Sequence, residues 1–213
     1  MRLVKTPADI EDGLEALLAA DPRLLPVRAR AGATPLRGME PGFASLCSII
    51  TSQQVSTASA AAIFSRLQAL LEPLTPDAVR AADDAVFRAA GLSAAKVRAL
   101  RAAADAVAGG LDLSELCGRP TEAAILELVR VPGIGRWTAE SYLLFAAGHP
   151  DVFPARDVAL QAAVGHAFTL DARPGEKALE EIARAWSPWR SVAARLFWAY
   201  YRTMRGRDGA PAA

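Results

Sequence analysis

Residues 128 to 139 read Leu-Val-Arg-Val-Pro-Gly-Ile-Gly-Arg-Trp-Thr-Ala. Apolar spacing on either side predicts helices over 121–130 and 136–148, so this stretch is a tight turn between them. Two glycines separated by one residue permit backbone conformations closed to other residues, and Pro132 removes a donor and stiffens the approach. The amides of Gly133, Gly135 and Arg136 can then point outward at a helix start, where the dipole favours an anion. An ordinary αα turn would explain Gly-x-Gly alone. The flanking Leu-Val-Arg-Val and Trp-Thr-Ala favour a clamp for nucleic-acid phosphate.

Downstream, Phe153-Pro-Ala-Arg-Asp157 places a lone carboxylate at the start of a new predicted helix, 158–169. Helix 136–148 rises about 20 Å and the extended segment after it can cover up to about 30 Å, so Asp157 can return beside the hairpin. A carboxylate is charged at neutral pH and stabilises a developing cation more than a neutral reactant. The competing roles for Asp157 are capping its own helix or pairing with Arg156.

Outward from these segments the periodicity is helical throughout, and no stretch alternates as a strand does. Thr6-Pro7 opens a helix ending near Ala20, and Pro22 to Gly42 reads as a long connection. Phe43, Leu46, Cys47 and Ile50 share one face of a helix that stops near Ser52, because Gln54 would otherwise point into the core. Gln53 and Gln54 then form an exposed turn before a helix over 57–71. Further helices are predicted over 75–82, 84–90, 93–108, 175–186 and 188–205, with Gly206 to Ala213 fraying. The fold class is all-α; the family that these residues resemble, named below, implies two lobes with the helix-hairpin-helix element and a cleft for DNA between them. The predicted division is 1–39 packing with the C-terminal lobe, 40–130 as a helical barrel lobe, and 131–213 carrying hairpin, acid and C-terminal helices.

Composition narrows the class. The chain has 213 residues, is 52% hydrophobic and carries a net charge of +1. No apolar run reaches the ~18 residues that span a bilayer, and the N-terminus lacks an apolar signal core. Cys47 and Cys117 match neither zinc nor iron–sulfur spacing, so the expected setting is reducing and cytoplasmic. A total near neutrality is unusual for a DNA binder, but Arg184, Arg190, Arg195, Arg202, Arg205 and Arg207 fall in a stretch without acids. That predicts a positive face rather than a positive total. On helix 188–205, Trp189, Val192, Ala193, Leu196 and Tyr200 form the core stripe. Trp198 lies opposite, among Ala194, Arg195, Arg202 and Arg205, where it meets another subdomain or a ligand or else forms a second core seam, and Trp137 has the same core alternative. His149 and His166 lack a ligand partner at helical spacing and read as structural.

Taken together, these residues resemble the helix-hairpin-helix DNA glycosylase superfamily, and within it the 3-methyladenine DNA glycosylase II family. Phe43 to Ser56 is similar to its Gln-containing turn, Gly91 to Lys96 to its next landmark, Phe153 to Asp157 to its acid segment, and Trp186 to Trp198 to its C-terminal helix. The resemblance implies a monofunctional glycosylase that hydrolyses the N-glycosidic bond of alkylated purines, 3-methyladenine or 7-methylguanine, in base excision repair. Asp157 is its catalytic acid residue. Trp137 and Trp198 stack the extruded base, and Ser141, standing where some relatives carry an aromatic, widens the pocket. Gln54 wedges into the duplex with Gln53 beside it; Gly133, Gly135, Arg136, Thr138 and Arg190 complete the DNA-facing set. Main-chain carbonyls of Val129, Val131 and Ile134 are implied ligands for a monovalent cation; no cofactor is required. Where strand-cutting members carry a lysine, this chain has Trp137, and no lysine lies between Lys96 and Lys177. The endonuclease branch's four-cysteine cluster and some bacterial members' N-terminal β-rich domain have no counterpart in these residues. The expected partner is double-stranded DNA containing damaged bases, met by a monomer at the nucleoid and away from membranes. Two other readings remain: a glycosylase for oxidised or deaminated bases, and a non-catalytic DNA-binding protein.

Overall fold

The computed structural model describes residues 2–206, so Arg207 and most of the tail expected to fray lie outside the described residues. The order is α1 (Pro7–Ala20), α2 (Leu24–Ala31), α3 (Phe43–Ser52), α4 (Thr57–Leu70), α5 (Pro76–Ala81), α6 (Asp84–Ala90), α7 (Ala94–Ala108), α8 (Thr121–Leu128), α9 (Arg136–Phe145), α10 (Val158–Ala167), α11 (Glu176–Ala183) and α12 (Arg190–Arg205). Short 3₁₀ turns occur at Glu115–Cys117 and Arg184–Trp186. Among the described residues there is no strand, and no helix is long and apolar enough to cross a membrane.

The chain divides into two compact units. One combines 2–38 with 148–206; the other is 39–147. The hairpin and α9 therefore group with the middle of the chain, where the sequence had set a boundary at 130/131. The cause is packing: α9 lies against both α8 and α3.

In the first unit, α1 starts at a capping box. Thr6 Oγ1 accepts from the Asp9 amide and Asp9 Oδ2 accepts from the Thr6 amide. The segment 22–42, read from its prolines and glycines as a connection, contains α2. Pro26 sits in the first turn, where the missing N–H would have had no intrahelical acceptor, and Leu24, Val27 and Ala31 are buried. Helices α2 and α10 pack on α12, which is buried on every side from Ser191 to Tyr200. At Gly13, α1 meets α12 so closely that a Cβ would lie 2.8 Å from Val192 Cγ2. Trp186 centres an aromatic cluster with Phe197 at 5.1 Å, Phe153 at 5.3 Å and Phe168 at 6.2 Å. Its Nε1–H is satisfied 3.0 Å away by Asp21 Oδ2.

In the second unit, α3 packs on α4, α7 and α9, and α5 packs on α7. Leu46, Ile50, Leu67, Phe87, Leu100 and Leu128 fill the core. Tyr142, fully buried, accepts from the Gly42 amide at 2.9 Å and donates to the Leu113 carbonyl at 3.4 Å, tying the start of α3 to α9.

Candidate functional site

The hairpin between α8 and α9 is closed by two turns: the Val131 amide donates to Leu128 O at 3.1 Å and Ile134 to Val131 O at 3.0 Å. Its two glycines serve different ends. Gly133 has φ +87°, and a Cβ there would sit 2.5 Å from the Ala99 Cβ of α7. Gly135 has φ −86°, and a Cβ would meet nothing within 4 Å. Gly133 is thus demanded by conformation and packing, while Gly135 keeps open the approach to a helix start. As the N-cap of α9 it has no side chain with which to cap the first-turn amides. Carbonyl oxygens are hard donors that suit a simple cation. The Val131 oxygen accepts from Ile134 and keeps a second lone pair. Among the described residues no His, Cys, Asp and Glu cluster could hold a metal.

Several side chains read from sequence as DNA-facing are engaged within the protein. Arg136 forms a fork on Glu122, at 2.9 and 3.0 Å, and bonds Glu140 at 2.9 Å. The Glu122 bonds, with Glu140 beside them, raise its already high pKa. Thr138 is buried and its Oγ1 accepts from Gln53 Nε2 at 2.8 Å; Gln53 also donates to Gly133 O at 3.3 Å. Of the glutamine pair only Gln54 is exposed, held at φ +56°. Trp137 is half-buried. Ser141, one turn further along the same face of α9, is 1% exposed and its Oγ has no hydrogen-bond partner.

Asp157 is the N-cap of α10. Its Oδ1 accepts from the amides of Ala159 at 2.9 Å and Leu160 at 3.0 Å, and from Trp198 Nε1 at 3.3 Å. Arg156 turns away to Glu176, 2.6 Å off. These bonds fix the carboxylate and set its direction.

The basic face expected around Trp198 is not exposed at this level of α12. Trp198 is 2% exposed, and Arg195, read as part of that basic face, is 4% exposed, its pKa pulled down to about 10 by burial. The residues from Ser191 to Tyr200 are apolar almost all round, and such a helix is enclosed rather than amphipathic. The expected positive face is further reduced because Arg184 pairs with Glu181 at 2.9 Å and Arg190 with Asp151 at 2.6 Å. Asp151 accepts from Ser187 as well. Burial alone would raise its pKa, but Arg190 and Ser187 outweigh that and lower it.

Sequence reading missed two contacts that shape these elements. Lys96 Nζ donates to Thr51 O at 2.7 Å, and Tyr142 bonds Gly42. Their partners lie 45 and 100 residues away in the chain, beyond any local spacing signal.

The sequence pattern of the HhH-GPD superfamily of base excision DNA repair proteins matches residues 47–188, and the chain belongs to that family. It is 31% identical over 171 residues to the DNA-3-methyladenine glycosylase 1 of Schizosaccharomyces pombe, covering 77% of this chain and 75% of the yeast protein. The fold superposes on the S. pombe 3-methyladenine DNA glycosylase Mag1 in complex with abasic DNA. The TM-score is 0.82 at 28% identity, with 91% and 97% of the two chains covered. It also superposes on a DNA-3-methyladenine glycosidase of Bacillus halodurans, with a TM-score of 0.78 at 31% identity and coverage of 97% and 95%.

Proposed function

We propose that this protein is a monofunctional DNA glycosylase that releases alkylated purines, 3-methyladenine and 7-methylguanine, from double-stranded DNA in base excision repair. The observation that carries the reading is Asp157: a carboxylate oriented by two main-chain amides and an indole, in a member of a base-excision family.

The chemistry follows from charge. An alkylated purine is already cationic, so the C1′–N bond breaks with its electron pair leaving on a neutral base, and no strong general acid is needed. The sugar is left as an oxocarbenium-like cation, which the Asp157 carboxylate stabilises more than it stabilises the neutral nucleoside. Water adds to C1′ and loses a proton, giving an abasic site. Trp137 supplies an electron-rich face for the cationic base, and Ser141 leaves room beside it. Trp198, assigned the same stacking role by resemblance, here serves Asp157 through its indole N–H. The outward amides at Gly135 and α9 hold a phosphate, and Gln54 occupies the stack vacated by the extruded base. A monovalent cation held by the hairpin carbonyls would add positive potential beside that phosphate. The protein acts as a single chain on nucleoid DNA in the cytoplasm. Without a lysine at the Trp137 position it has no amine there for strand cleavage.

The test is incubation with methylated duplex DNA and chromatographic identification of released bases. Wild-type release of 3-methyladenine or 7-methylguanine, lowered about 100-fold or more by Asp157→Asn, supports the assignment. Release undiminished in that variant would remove Asp157 from the chemistry, and duplex binding with no base released would make the protein a DNA-binding module.

A further inference from the structure

Two adjacent glutamines are treated in opposite ways by this fold. Gln54 is exposed in a left-handed conformation, φ +56°, whereas Gln53 turns inward. Gln53 Nε2 donates 2.8 Å to Thr138 Oγ1 and 3.3 Å to Gly133 O. A carbonyl can only accept, so the amide is oriented unambiguously and both of its N–H groups are used. On its other side the same turn is held from α7: Lys96 Nζ donates to Thr51 O at 2.7 Å. Ser52 Oγ and the Gln53 main-chain amide close on Ile49 O at 2.8 Å and Ile50 O at 3.3 Å, so with Thr51 three of the last four carbonyls of α3 are satisfied. The hairpin is in turn seated on α7, because Gly133 lies against Ala99 with no room for a Cβ. The three elements form a closed triangle. The end of α3 is joined to the hairpin by Gln53, the hairpin to α7 by Gly133 and Ala99, and α7 to the end of α3 by Lys96.

We propose that Gln53 is a positioning residue that locks the Gln54 turn to the hairpin, so that grip on phosphate and insertion of Gln54 into the duplex occur in one fixed register. The consequence for DNA rests on the glycosylase reading above. A non-Gly residue at positive φ persists only where its surroundings over-determine it. Here the over-determination comes from two anchors just before Gln54, Gln53 held by the hairpin and Thr51 held by Lys96. Thr138, nominated from sequence as a DNA contact, is the acceptor of this lock instead.

The experiment uses Gln53→Met, which keeps the stem but cannot donate, and Thr138→Val, which keeps the shape but cannot accept. Each is made alone and combined with Gln54→Ala. A duplex with an abasic site opposite 2-aminopurine reports wedge insertion by fluorescence without catalysis; single-turnover release of 3-methyladenine reports the reaction. We expect Gln53→Met and Thr138→Val each to weaken the fluorescence change and slow release about tenfold, the scale of coupling within one contact network. Affinity for undamaged duplex should stay within about twofold, because the hairpin amides are unchanged. In the Gln54→Ala background neither should add a further loss, since register matters only when the side chain is there to insert. Wild-type behaviour of Gln53→Met, or losses that multiply with Gln54→Ala, would overturn the proposal. Thr138→Val decides the matter if Gln53→Met is poorly folded. Should wild type release no alkylated base while giving the fluorescence change, the glycosylase reading fails and the fluorescence series alone tests the lock.

Discussion

At the scale of single residues, a carboxylate that must meet a developing cation needs both its charge and its direction, and Asp157 obtains the second from α10. The two properties separate by substitution. Asn retains an oxygen able to cap, so Asp157→Asn should leave folding stability within about 0.5 kcal/mol while base release collapses. Asp157→Ala loses the cap as well and should cost about 1 kcal/mol more, read as a lower urea midpoint at unchanged m-value. Equal stability of the two variants would mean that the Ala159 and Leu160 bonds contribute nothing. Trp198→Phe keeps the ring but removes the donor to Oδ1, and should slow release without preventing duplex binding. Unchanged single-turnover kinetics in that variant would exclude Trp198 as a support for the acid.

At the scale of elements, the hairpin predicts opposite consequences for two glycines two residues apart. Gly133→Ala combines a positive φ with a clash on Ala99 and should destabilise by more than about 2 kcal/mol. Gly135→Ala meets open space at an ordinary φ, and only the weaker N-cap preference of Ala applies, so its cost should stay below about 1 kcal/mol. Its methyl would nevertheless stand where the proposed phosphate contact is made. Weakened duplex affinity in a fully folded Gly135→Ala protein is therefore the expected result, measured by thermal unfolding beside a binding titration. The α2 helix carries a related lesson. Pro26 argues against a helix interior but is acceptable in the first turn, and what makes 24–31 helical is burial of Leu24, Val27 and Ala31, with α2 packed on α12.

At the scale of the whole molecule, three carboxylates held below their ordinary range lie in the unit formed by 2–38 and 148–206, against one, the exposed Asp112 held by Ser114, in the other. The Thr6 hydroxyl, the Lys5 amide and Arg2 hold Asp9 well below the ordinary carboxylate range; Arg23 and then Trp186 lower Asp21; Arg190 lowers Asp151. A folded pKa below the unfolded value stabilises fully above about pH 4 and is lost as pH falls through the folded value. Acid should therefore loosen this unit first, with amide exchange in α1 and α12 accelerating below about pH 4 ahead of α7. Earlier acceleration in α7 would contradict it. The two thiols should likewise differ at neutral pH. Burial pushes the Cys47 thiol up, so an alkylating reagent should label the half-buried Cys117 and spare Cys47 until unfolding.

The sequence by itself determined the helical class, most helix positions, the hairpin and the cap position of Asp157. These are signals of local spacing: apolar residues at helical period, a Pro-Gly-x-Gly break, an acid before an apolar run. Tertiary structure alone decided which polar side chains remain outside. Arg136, Thr138, Gln53 and Arg190 each looked available for DNA, and each is engaged by a partner at least 14 residues distant, at Glu122, Gln53, Gly133 and Asp151. Arg195 was read as part of a basic face because a helical wheel distinguishes faces, not how many of them other elements cover. Helix periodicity is written in neighbouring residues; the partner of a donor is chosen by the fold, which brings together positions that no local pattern connects.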